Sequence, residues 1–167
     1  MPPRRPKDRG TDAERAVARW LAANGWPHAE RRAPSGSADR GDITGTPGIC
    51  WEVKSRKTPP GDKQITDWLE ETEQERLNAG ADIGVLVVRR PGVGPQHAGR
   101  WWAYLTALGL FDVYAGMLDE GRVAVWAMTW AAYTGDIPVR LHLADVVTML
   151  RKGGWGDPIE DDPEVTQ

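Results

Sequence analysis

From Thr11 to Asn24 the apolar residues Ala13, Ala16, Val17, Trp20 and Leu21 recur at helical spacing. Thr11 or Asp12 can cap the start and Gly25 can end the segment, which predicts a first helix. Residues 27–33 read as a strand, followed by a loop from Pro34 to Arg40 rich in turn-forming residues. Gly45-Thr46-Pro47-Gly48 then reads as a turn, so 41–46 and 49–54 are expected to be adjacent antiparallel strands. Alternation sends Ile49, Trp51 and Val53 to one face and Cys50, Glu52 and Lys54 to the other. Asp62 to Ala79 carries Ile65, Trp68, Leu69, Thr72 and Leu77 on one side and acids on the other, an amphipathic helix closed by Gly80. Ile83 to Val88 is a nearly continuous apolar run, the pattern of a strand covered on both faces. This order of elements predicts an α/β fold, a mixed sheet flanked by helices.

Further on, 89–100 reads as a long mobile loop, Trp101 to Leu105 as a strand and Thr106 to Leu118 as a helix. Val123 to Ala132 suits either strand or helix. Leu143 to Lys152 reads as a helix stopped by Gly153-Gly154, and Asp157 to Gln167 as a disordered acidic tail. The organisation expected is a flexible basic arm over 1–10, a single domain over 11–153 with a core (11–90) and a C-terminal α/β extension (91–153), and an acidic tail over 154–167.

With 167 residues, 40% of them hydrophobic, the chain can bury one sizeable core. It contains no apolar run long enough to span a bilayer, and Met1 to Gly10 lacks the apolar stretch of a secretory signal, so a soluble, cytoplasmic protein is expected. Cys50 is the only cysteine, which excludes an internal disulfide and a thiolate zinc cluster and makes it a small core residue. His28, His97 and His142 lack ligand spacing. Pro91-Gly92-Val93-Gly94 is not followed by the Lys-Ser/Thr of a nucleotide-binding loop.

Charge changes the picture more. Residues 1–60 hold 12 Lys/Arg against 7 Asp/Glu, and 61–167 hold 9 against 17, so the net −3 divides into +5 and −8. A basic half can draw polyanions to an acidic protein. Within that half, Asp42, Glu52 and Lys54 fall where a short hairpin could converge two carboxylates and an ammonium. The same three residues also describe an ordinary solvated face with a cross-strand ion pair.

Glu14 in a first helix ending Asn24-Gly25-Trp26, then Arg31-Arg32, Ser35-Gly36, Gly41-Asp42-Ile43, Glu52-Val53-Lys54 and a helix bearing Gln64 together resemble the PD-(D/E)XK nuclease superfamily. Within it the chain is most similar to archaeal-type Holliday junction resolvases and their phage-encoded relatives. The resemblance spans roughly residues 11 to 90. Gly41 stands where the motif has its proline, and the C-terminal third has no counterpart.

The resemblance implies a restriction-endonuclease-like α-β-β-β-α-β core and a homodimeric, magnesium-dependent endonuclease that resolves four-way DNA junctions, with manganese as a substitute ion. Hard oxygen donors suit such ions. Asp42 and Glu52 would be direct ligands, the Val53 carbonyl a further donor, and Glu14 an outer acidic ligand. Lys54 would orient or deprotonate the attacking water or stabilise charge on phosphorus. Arg31, Arg32, Ser35, Arg40, Arg56, Lys57 and Gln64 would contact DNA. A nuclease on other DNA substrates, of repair or restriction type, and a non-catalytic DNA-binding relative are the alternatives. Glu14 also fits a helix-dipole role. The arginines fit plain exposed charge, and Ser35-Gly36 a plain turn. Trp20, Trp51 and Trp68 read as core, while Trp101 and Trp102 leave base stacking or a dimer contact open.

Overall fold

The computed structural model describes residues 6–33, 39–115 and 137–159. Its elements run α1 (Pro6–Ala22), β1 (Glu30–Arg31), β2 (Ile43–Thr44), β3 (Ile49–Lys54), α2 (Asp62–Ala79), β4 (Ile83–Val88), a 3-10 helix (Pro95–Arg100), β5 (Trp102–Thr106), α3 (Ala107–Ala115), β6 (Pro138–His142) and α4 (Leu143–Lys152). Four strands form a mixed sheet in the order β3-β4-β5-β6, and β1 and β2 form a separate antiparallel pair. β3 and β4 are parallel, which requires a crossover, and α2 supplies it. β5 and β6 complete the sheet antiparallel. The architecture is therefore a mixed α/β sheet with flanking helices.

The pairing register sorts side chains onto two faces. Ile49, Trp51 and Val53 align with Ile83, Val85 and Val87 and pack with Val17 and Leu21 of α1 and Val146 and Leu150 of α4. On the other face Leu86, Val88 and Tyr104 pack with Ile65 and Leu69 of α2. β4 is thus buried along its whole length, as its unbroken apolar run predicts. The larger core holds Trp26 and Trp51 edge to face with centroids 6.1 Å apart, an arrangement favoured by the ring quadrupoles.

Helix α2 has the expected bounds and ends at Gly80, whose N–H bonds back to the Arg76 and Leu77 carbonyls. Its buried stripe differs from expectation, since Ile65, Leu69, Thr72 and Glu75 are buried whereas Leu77 is 61% exposed. At 100° per residue Leu77 lies well off the line through Ile65, Leu69 and Thr72. α1 begins at Pro6, so residues 6–10 are helix rather than a flexible arm.

The expected hairpin does not form. β2 is only two residues long and pairs with β1 instead of β3. Gly45 explains the diversion: it has φ +78, and a Cβ there would lie 1.8 Å from the His28 carbonyl oxygen. Only glycine lets the chain leave β2 that close to the backbone before β1. The strand expected over 27–33 is correspondingly short, confined to Glu30–Arg31.

Three further expectations are corrected. The 89–100 segment contains the 3-10 helix, whose Ala98 is fully buried, and the Trp101 indole N–H bonds to the Val93 carbonyl at 3.1 Å. Within the expected extension, β5 and β6 are half of the main sheet, and β6 is a strand that the sequence pattern does not predict. The start of the tail is docked: the Asp157 N–H bonds to the Gly25 carbonyl at 2.7 Å, and Arg151 donates to the carbonyls of Asp157 and Pro158. The strand-or-helix segment 123–132, the last residues of the expected helix over 106–118 and the rest of the tail lie outside the described residues. Among the described residues no helix is long and apolar enough to cross a membrane.

Candidate functional site

Asp42 is held by its own backbone against the outer edge of β3. Its N–H donates to the Trp51 carbonyl at 2.7 Å, and its carbonyl accepts the Arg32 N–H at 2.7 Å. Its Oδ2 accepts the Val53 N–H at 2.8 Å. Gly41 makes this approach possible: φ is +82, and a Cβ would lie 2.8 Å from both Cys50 Sγ and the Trp51 carbonyl oxygen. Proline cannot adopt that φ, so this turn into the acid requires a residue such as glycine.

Strand geometry then fixes what else faces this edge. The Lys54 carbonyl accepts the Arg89 N–H at 2.9 Å, so Cys50, Glu52 and Lys54 turn their backbone groups toward β4. Ile49, Trp51 and Val53 turn theirs outward. The Val53 carbonyl therefore lies along the edge where Asp42 sits.

Glu52 and Lys54 share a face, as alternation predicts, and their side chains meet at 2.7 Å. Lys54 also reaches Glu71 of α2 at 2.9 Å and lies 5.9 Å from the Trp68 ring centroid. A fourth acid, Glu75, comes from the buried stripe of α2 and hydrogen-bonds with Glu52; its Oε2 is buried with no partner among the described residues. Sequence reasoning missed Glu75 and Glu71. For Glu75 a signal existed, an acid in register with Ile65, Leu69 and Thr72 on the apolar side of an amphipathic helix.

Burial is the main cause that raises the pKa of these carboxylates. Burial, then the charge of Glu52 and more weakly of Glu14, pushes Asp42 up to about 8 despite the Val53 N–H. Burial pushes Glu52 up to about 7. Lys54 pulls Glu52 toward ionisation while Glu75 pulls the other way, so the 2.7 Å ion pair and the raised pKa describe an acid balanced near neutrality. Glu75 is raised by burial. Burial works against the Lys54 ammonium, but Glu52 and Glu71 outweigh it and hold the amine charged. Cys50, 1% exposed, is pushed up to about 12 by burial, which fits a core residue and not a nucleophile.

Crowded, partly protonated carboxylates are a set that a cation would relieve. Among the described residues no group of three or more His, Cys, Asp or Glu side chains forms a metal cage by itself. Magnesium is usually held by one or two carboxylates, with water and phosphate oxygens completing the shell. Asp42, Glu52 and the Val53 carbonyl are of that number and chemistry.

Glu14 on α1 is paired with Arg31. Arg32 turns inward, donating to the carbonyls of Gly41 at 3.1 Å and Ile43 at 3.4 Å; it braces the Asp42 loop and is not free to meet a phosphate. Arg56 bonds to Gln64 and lies 5.7 Å from the Trp68 centroid. Arg40 and Lys57 are exposed, and Ser35 lies outside the described residues. Trp101 is fully buried and cannot stack on a base. A depression of about 250 Å³ at the turn, lined by Arg32, Gly45, Gly48 and Ala81 among others, does not include the carboxylates.

Fold and site together define a mixed α/β protein with a buried acidic cluster and one ammonium at the open edge of its sheet. Comparison with known proteins finds no family model, curated protein or solved structure that matches the chain.

Proposed function

We propose that this chain is a magnesium-dependent DNA endonuclease of the PD-(D/E)XK type, with a restriction-endonuclease-like core, that acts as a homodimer on four-way junctions. The observation carrying this reading is the meeting of Asp42, Glu52 and Lys54 at the open edge of β3, with both carboxyls pushed toward neutrality and the amine kept charged. Asp42, Glu52 and the Val53 carbonyl are the groups that would hold the ion. When bound, a divalent cation neutralises a phosphodiester and lowers the pKa of a coordinated water. Lys54 is a poor base, because Glu52 and Glu71 keep its proton on; its role is to offset charge developing on the phosphate. Junction preference rests on the sequence resemblance, and a two-fold dimer suits paired cuts on opposed strands.

The test is purified protein with magnesium on a four-way junction, a flap, a single strand and linear duplex. Paired symmetrical nicks on the junction are expected, abolished in Glu52→Ala and Lys54→Ala with folding retained. Equal cleavage of linear duplex overturns junction resolution, and wild-type rates in either variant overturn the site.

A further inference from the structure

Lys54 is the first residue of a row that crosses the whole sheet. The pairing register aligns Lys54 with Val88, Val88 with Trp102, and Trp102 with His142, and the next row aligns Glu52, Leu86, Tyr104 and Arg140. Registered neighbours project from the same face. The row therefore runs from the acidic cluster along the end of the sheet where β3 and β4 finish, the end at which open α/β sheets bind ligands.

Cations gather along this row on aromatic supports. The Arg90 and Arg140 guanidiniums lie 4.5 and 4.6 Å from the Trp102 centroid. The His142 ring stacks on Trp102 at 4.9 Å and 10°, with Asp145 3.5 Å from its Nδ1. Nearer the site, Arg56 and Lys54 flank Trp68, which packs against the same apolar cluster as Trp102. Arg56 and Arg140 are exposed and Arg90 is half-buried. Among the described residues no carboxylate pairs with Arg56, Arg90 or Arg140.

We propose that Arg56, Arg90 and Arg140, held on Trp68 and Trp102, form a track that binds the phosphate backbone of a nucleic-acid strand leading away from Lys54. This deepens the nuclease reading and rests on it for the chemistry of the partner. An indole engaged by an imidazole and two guanidiniums holds cations in place and does not offer itself to a base. Fixing an arginine on a ring restricts its rotamers before binding, so less freedom is lost when it meets a phosphate. The track is consequently indifferent to base sequence. The two outer arginines lie beyond residue 60, in the acidic part of the chain, so net charge by segment conceals them.

The experiment measures binding of full-length protein to a labelled linear duplex and a four-way junction in EDTA, over a range of salt, for wild type and Arg90→Gln/Arg140→Gln. Cleavage with magnesium is assayed separately. Each lost phosphate contact removes about 0.9 from the slope of log K against log salt. The double variant should therefore lose a slope of about 1.8, or roughly 60-fold in affinity at 0.1 M salt, and should do so equally on duplexes of unrelated sequence. Its thermal midpoint should match wild type. Trp102→Leu, with its melting curve recorded alongside, should weaken binding in the same salt-dependent way. An unchanged slope in a wild type that binds and cleaves overturns the track and leaves the nuclease reading intact. Loss of slope in a protein that never cleaves supports the track and overturns the nuclease reading. Competition by polyglutamate as strong as by DNA overturns the nucleic-acid partner in favour of an acidic protein.

Discussion

The Asp42 carboxylate accepts the backbone N–H of Val53 at 2.8 Å, and two residues earlier on the same edge the Trp51 carbonyl accepts the Asp42 N–H. A single acid thus stands in for a neighbouring strand along β3. The same contact fixes the carboxylate beside the Val53 carbonyl and Glu52, and it separates the structural and chemical roles of Asp42.

Asp42→Asn keeps an acceptor for the Val53 N–H and removes the charge. We expect the variant to fold, with a thermal midpoint at pH 8 and above equal to or higher than wild type, because the buried charge that forms there is gone. Magnesium-dependent cleavage should fall by about 100-fold or more, as expected when a metal-ligating carboxylate is lost. Calorimetry and a cleavage time course check the two halves, and a folded variant cleaving at the wild-type rate removes Asp42 from the site.

The acidic cluster makes metal-free stability depend on pH in a definite direction. Asp42 has its pKa raised from 3.8 to about 8, and Glu52 from 4.5 to about 7. The folded state therefore holds protons that the unfolded chain has released, and their contribution to stability is full below about pH 4 and lost as pH rises through about 8. In EDTA the melting temperature should fall across this window, and the Asp42→Asn curve should be flatter. Magnesium competes with these protons, so adding it should raise the midpoint more at pH 8 than at pH 5. A midpoint that climbs from pH 5 to 8 in EDTA contradicts the clustered carboxylates.

Glu75 sits among apolar neighbours on α2 with one oxygen unbonded among the described residues. Glu75→Gln should raise metal-free stability at pH 8 by about 1 kcal/mol, since it removes a carboxylate whose charge burial disfavours. Cleavage should decline at the same time, because Glu52 loses the neighbour that sets its ionisation. Urea unfolding gives the first quantity. A destabilised variant with normal cleavage assigns Glu75 a purely structural role.

Gly45→Ala tests the diversion of β2. A methyl group there meets the His28 carbonyl oxygen at 1.8 Å in a backbone with φ +78. The variant should lose about 3 kcal/mol or more, because both the clash and the φ must be relieved by moving backbone. Its urea midpoint reports this directly, and an unchanged midpoint means that Gly45 does not pass this close to His28.

Helix α2, strand β4 and helix α4 were legible in the residues alone because their signals are local. The turn of α2 repeats apolar residues from Ile65 to Thr72 and stops at Gly80, and β4 is apolar at nearly every position. The side-chain sharing of Glu52 and Lys54 was legible for the same reason, since alternation is a property of one strand. The partner of that strand was not. Gly45-Thr46-Pro47-Gly48 reads equally well as a hairpin turn, and only the close passage of Gly45 over His28 sends β2 to β1 instead. Once β2 left, Asp42 could reach β3 through its carboxylate, and Glu75 could reach Glu52 from a helix more than twenty residues away in sequence. The amino-acid sequence by itself determined the helices, the buried strand and the residue types at the site, through periodicities of 3.6 and 2 within single segments. Which strand pairs with which, which acids crowd one another, and that Trp102 and His142 share a row with Lys54 were decided by the tertiary structure, because each depends on segments meeting whose separate sequences carry no record of their partner.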